Sequence, residues 1–81
     1  MDKKLVLIEW LDAISHNGSW LSTEDELLPS KCHSVGWVLK EESEYIHIAA
    51  HFSNDGEDMG GDICIPKGCV TKVTELNGNY C

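Results

Sequence analysis

Apolar and polar residues alternate along most of this chain. Over Lys3–Asp12, Val6, Ile8 and Trp10 fall on one face, with Leu5, Leu7, Glu9 and Leu11 on the other. A period of two with β-branched and aromatic content predicts a strand covered in part on both faces. Over His33–Glu41, Val35, Trp37 and Leu39 alternate with Ser34, Gly36, Val38 and Lys40. That is a second strand, in which Trp37 takes a core position and Gly36 marks a bulge or a close backbone approach. Tyr45–Phe52 is the clearest strand: Ile46, Ile48, Ala50 and Phe52 share one face, and Tyr45, His47, Ala49 and His51 the other. Asp62–Pro66 and Cys69–Leu76 complete a set of five, joined by a tight turn at Pro66-Lys67-Gly68.

The segments between them carry turn and cap chemistry. Asn17-Gly18 supplies a residue at positive φ. Ser22 and Asp25 stand at capping-box spacing, and Glu24, Asp25 and Glu26 suit the first turn of a helix. One or two helical turns are therefore predicted over Thr23–Leu28, stopped by Pro29. Residues 41–44 read as a polar hairpin turn, and Ser53–Gly61, rich in Asn, Asp, Glu and Gly, as an exposed loop. Strands at this spacing predict a mainly β fold: a small five-stranded SH3-like or Sm-like barrel with one short helical insert after the first strand. Residues 1–76 form the single domain and 77–81 a tail.

Composition narrows the function classes. Acidic residues number 14 against 6 basic ones, for a formal net charge of −8, and all six bases are lysines. With no arginine, nonspecific nucleic-acid binding and polybasic docking on an anionic membrane are both disfavoured. An apolar fraction of 42% is too high for an acidic disordered tail. The longest apolar run near the start, Leu5–Ile8, is too short for a signal-peptide core of about 7–15 residues. A cytoplasmic location and reduced thiols follow for Cys32, Cys64, Cys69 and Cys81. No Cys-x-x-Cys pair occurs, so Cys64 reads as a strand core residue rather than a metal ligand.

Four segments, taken in order, resemble a group of small bacteriophage proteins. They are Glu9-Trp10-Leu11-Asp12-Ala13, Ser34-Val35-Gly36-Trp37-Val38, Tyr45-Ile46-His47-Ile48-Ala49-Ala50 and Ile65-Pro66-Lys67-Gly68-Cys69. The resemblance spans most of residues 5–76. It implies a phage accessory protein with an SH3-like barrel, working in the host cytoplasm, and it implies no catalytic residues. It also implies a class of action against host defence, by gripping a host protein or sequestering a nucleotide-like ligand in an oligomer.

The candidate chemistry agrees with binding rather than catalysis. Asp12 near His16, and Ser15 or Ser34 near a histidine, lack a strained nucleophile turn and a third orienting group. His47 and His51 lie on one strand face about 13 Å apart, too far to share one ion unaided. The Asn54-Asp55-Gly56-Glu57-Asp58 run lacks calcium-loop spacing. No metal and no cofactor are expected. For binding, Trp20 is either a staple for the insert or an anchor, and Trp37 is either core or the wall of a groove. An anionic ligand would need Lys31 or Lys67 for charge and Trp20 or Trp37 to stack, and Ser34 completes the expected binding residues. The acidic stretches 24–26, 41–44 and 55–62 are solvated loops or a surface that docks on a basic host protein. The alternative function is thus an acidic, DNA-mimic-type inhibitor of a host nucleic-acid-binding protein. A thin core also favours a homo-oligomer.

Overall fold

The computed structural model describes residues 3–77. It is one five-stranded antiparallel sheet. The strands are β1 (Leu5–Asp12), β2 (Ser30–Glu41), β3 (Tyr45–Ser53), β4 (Asp58–Pro66) and β5 (Val70–Leu76), in the order β4-β3-β2-β1-β5. β4 and β5 are the edges, and no ladder joins them among the described residues. A 3-10 turn, Lys67–Cys69, nevertheless connects them directly. In a flat sheet four strand spacings would hold these edges about 19 Å apart. The chain from Pro66 to Val70 spans at most about 14 Å. The sheet must therefore curl, and it does so around the apolar face on which Val6, Ile8, Ile46, Ile48 and Ile65 are buried. Trp10, Val38 and Val70 pack against that cluster from its margins.

Register explains which residues reach the core. Val6 pairs with Gly36, and Val38 with Ile48, so Gly36 and Val38 share the inner face. Trp37 pairs with Leu5 and Ala49 on the other face, half-buried, its ring edge-on to Phe52 at 5.6 Å between centroids. The core assignment of Trp37 is corrected accordingly: the alternation has the expected period and the opposite phase. Gly36 is needed because β2 and β3 approach closely there. A Cβ on it would stand 2.8 Å from the Ala49 carbonyl oxygen. Cys64 is exposed, opposite His47, so it is not a core residue either.

Three boundaries differ from the sequence expectation. β2 begins at Ser30 rather than His33. Ser53–Gly61, expected as a loop, contains only a 3-10 turn at Asn54–Gly56, with Asn54 and Asp55 left-handed (φ 53 and 54), and β4 already pairs from Asp58. The helix over Thr23–Leu28 does not form. Its capping contacts do: Ser22 N–H donates to Asp25 Oδ2 at 3.1 Å, and Glu24 N–H donates to Ser22 Oγ at 3.2 Å. One turn closes between Asp25 N–H and Ser22 O at 3.1 Å, and propagation stops. Helix nucleation is costly, six residues repay little of it, Pro29 disfavours helical geometry at Leu28, and no apolar face packs on anything. Gly18 does take the positive φ expected of it, +55. Of the tail, residues 78–81 lie outside the described residues.

Candidate functional site

The β1–β2 ladder runs unbroken from Leu5↔Trp37 to Asp12↔Ser30. Beyond that pair the chain leaves the sheet as an arm, residues 13–29. Every residue from Asp12 to Lys31 is exposed. The arm nevertheless carries large apolar side chains: Ile14 is 48% exposed, Leu21 49%, Leu28 68%, and Trp20 102%. Trp20 therefore staples nothing. A soluble chain scatters single apolar residues over its surface, but a segment that gathers Ile14, Trp20, Leu21, Leu27 and Leu28 without covering any of them has the composition of a contact element.

At the root of the arm lies a cleft of about 370 Å³. Trp10 and Leu11 of β1 and Cys32 of β2 form its apolar walls, and Thr71 of β5 closes one side. The register pairs Trp10 with Cys32 on one face and Leu11 with Lys31 on the other, and both pairs border the cleft. Thr71 is the extra residue where the β1–β5 pairing shifts, and its hydroxyl donates to Glu9 O at 3.0 Å. The Trp10 indole is fixed by its Nε1–H, which donates to Ser34 Oγ at 3.0 Å.

The cleft carries both signs of charge, since acidic Glu9 lines it too. Lys31 and His33 line it, and Lys72 stands opposite Glu9 in the β1–β5 register. His33 Nε2 lies 3.6 Å from Glu9 Oε1. Lys31 and Lys72 take part in no ion pair among the described residues, whereas Lys4, Lys40 and Lys67 are paired with Glu75, Glu42 and Glu41. The arrangement suits a ligand that sets a carboxylate or phosphate beside an apolar group: the ammonium of Lys31 takes the charge, and Leu11, its partner across the ladder, takes the apolar part.

The five residues singled out in the sequence do not form one site. Lys31 lines the cleft, and Ser34 acts on it indirectly by holding Trp10. Trp20 is on the arm. Trp37 lies on the far face of β2. Lys67 sits beyond the other end of β2, up to about 33 Å along the strand from Lys31, with its ammonium 2.8 Å from Glu41 Oε2. That contact, first through its hydrogen bond and then through its charge, holds the Glu41 carboxyl below its ordinary value of 4.5. Trp10, Leu11, His33 and Thr71 were missed as site residues because only the pairing register brings them together.

On the outer face His47 Nε2 is 2.7 Å from Asp62 Oδ2. Among the described residues no group of three or more His, Cys, Asp or Glu side chains is placed to hold a metal ion, and no helix is long and apolar enough to cross a membrane. No protein-family model, curated protein or solved structure matches this chain.

Proposed function

We propose that this is a binding protein without chemistry of its own, which grips a protein partner with the arm at residues 13–29. The observation that carries the reading is Trp20, fully exposed among Ile14, Leu21, Leu27 and Leu28 on a segment the sheet does not cover. Tryptophan is enriched among the few residues that dominate binding energy at protein interfaces. The resemblance to small phage proteins supplies the setting: an accessory protein in the host cytoplasm, directed against host defence. The curled sheet, its strand order and its 3-10 link between the last two strands support a small barrel of SH3-like or Sm-like type.

A second reading, capture of a small nucleotide-like anion, rests on the cleft with Lys31 and Trp10. The acidic-mimic alternative draws on the arm and the strand that leads into it: residues 5–30 hold Glu9, Asp12, Glu24, Asp25 and Glu26 and no lysine. One experiment separates the three. The wild-type chain and a Trp20→Ala, Leu21→Ala variant are used to capture proteins from host lysate, and the captured protein is purified and titrated back. Loss of binding in the variant with salt-tolerant capture by the wild type is the expected result. Capture lost by about 0.5 M salt points to the mimic. Equal capture by both proteins overturns the arm, and a thermal shift with a nucleotide that Lys31→Glu abolishes favours the small ligand.

A further inference from the structure

We infer that in the free protein the arm is covered by a second copy of the same chain, each arm lying in the cleft at the root of the other. The reading goes beyond the one above, because it concerns the purified protein alone and holds whatever the arm meets in a host.

Three observations carry it. The first is shape. The chain extends 53 × 22 × 21 Å with a radius of gyration of 16.2 Å, where a compact chain of this length has about 12 Å. The second is area. The accessible surface is 6219 Å², against about 4,900 Å² for a compact monomer of this mass. The difference of about 1,300 Å² per chain exceeds the roughly 800 Å² per partner that a stable interface buries. The third is complementarity. The arm joins apolar Trp20, Leu21, Leu27 and Leu28 to acidic Glu24, Asp25 and Glu26. The cleft is lined by apolar Trp10 and Leu11 and by Lys31, whose ammonium takes part in no ion pair among the described residues; Glu9, which also lines it, stands opposite Lys72 in the β1–β5 register.

Arm and cleft are thus two halves of one contact, placed side by side on one chain. A two-fold axis satisfies both halves twice with the same surface, the closed arrangement usual in homodimers. The net charge of −8 per chain opposes association in general. At physiological salt that repulsion is screened beyond about 8 Å, while the arm and cleft meet at contact distance.

The test uses the full chain in light scattering after size exclusion and in native mass spectrometry, over a dilution series into the low micromolar range. The wild type is expected at twice the 9.0 kDa chain mass. Trp20→Ala with Leu21→Ala removes the arm anchor and should raise the dimer dissociation constant at least ~30-fold. Lys31→Glu with Lys72→Glu sets like charges against the acidic arm and should raise it at least ~10-fold. All four positions lie outside the buried core, so both variants should unfold thermally as the wild type does, compared under conditions where all are monomeric. Mixing them is the decisive step. One protein keeps a working cleft and the other a working arm, so a 1:1 heterodimer should form where neither variant pairs with itself. A monomeric wild type at the highest concentration, a dimer unaffected by loss of Trp20 and Leu21, or a mixture with no heterodimer overturns the inference. Failure to capture a host protein leaves it standing.

Discussion

Replacing Gly36 by alanine tests the packing argument at its tightest point. An ideal Cβ on Gly36 would meet the Ala49 carbonyl oxygen at 2.8 Å, the Ala49 carbonyl carbon at 3.2 Å and the Ile48 Cβ at 3.2 Å. Two of these are backbone atoms in the paired strand, so no side-chain rotation relieves them. The strands must part by about half an ångström in the middle of the sheet, beside Val6 and Ile48. Overpacking of this kind costs about 1–3 kcal/mol, and the entropy that alanine removes from the unfolded chain returns only ~0.4–1 kcal/mol. A net loss of about 1.5 kcal/mol follows, out of a total near 4–12 kcal/mol for a chain of this size. At ~4–8 °C per kcal/mol the midpoint should fall by roughly 6–12 °C. The assay is thermal and urea unfolding by circular dichroism at one fixed protein concentration, since self-association would make the midpoint concentration-dependent. Gly60→Ala is the control: nothing lies within 4 Å of its Cβ position and its φ is not positive, so its stability should be unchanged or slightly raised. If Gly36→Ala unfolds within about 0.5 kcal/mol of the wild type, the close approach of β2 to β3 is refuted.

Two further predictions concern single contacts. Trp10→Phe and Ser34→Ala each remove the 3.0 Å indole–hydroxyl bond. Each should cost about 0.5–1.5 kcal/mol in urea unfolding, and the double variant should cost clearly less than the two added; strict additivity would show that the bond contributes nothing. The Glu41–Lys67 pair gives a pH signature. The Glu41 carboxyl is held below 4.5 in the folded chain by Lys67. Its contribution is therefore present above the unfolded value and is lost as pH falls through the lowered folded one. For so exposed a pair it is at most ~1 kcal/mol. Lys67→Met should be slightly less stable than the wild type at neutral pH, with the gap closing in acid; a gap independent of pH would remove the pair as its cause.

Much of the sheet was legible because its period is written on both sides of each strand. Val6, Ile8 and Trp10, and then Ile46 and Ile48, announce the buried face directly. Gly36 was legible as a close approach for the same reason: a strand interior admits a glycine only where something takes the place of its side chain. Three features were hidden. Trp37 was read in the wrong phase because size suggested burial, whereas the inner face at that level is filled by Gly36 and Val38. The start of β4 was hidden because Asp58, Gly60 and Gly61 are loop residues by composition, and only pairing with β3 makes them a strand. The cleft was hidden because it exists between strands: no spacing along the chain relates Trp10 to Cys32, or Glu9 to Thr71. The arm illustrates the opposite failure. Its capping signals were read correctly, and the contacts they encode are formed, but local signals without a face to bury do not extend a helix.

The separation of arm from sheet has an evolutionary consequence. The buried residues that hold the sheet together and the apolar side chains of the arm do not overlap: the first set lies in the strands, the second in the loop between the first two. Substitutions between Ala13 and Pro29 can therefore accumulate with little effect on folding, because none of these side chains is buried. A protein built this way can follow a changing target by rewriting one loop while its scaffold stays still. Selection would then be expected to leave its record unevenly, with drift or rapid replacement in the loop and constancy at Val6, Ile8, Gly36, Ile46, Ile48 and Ile65.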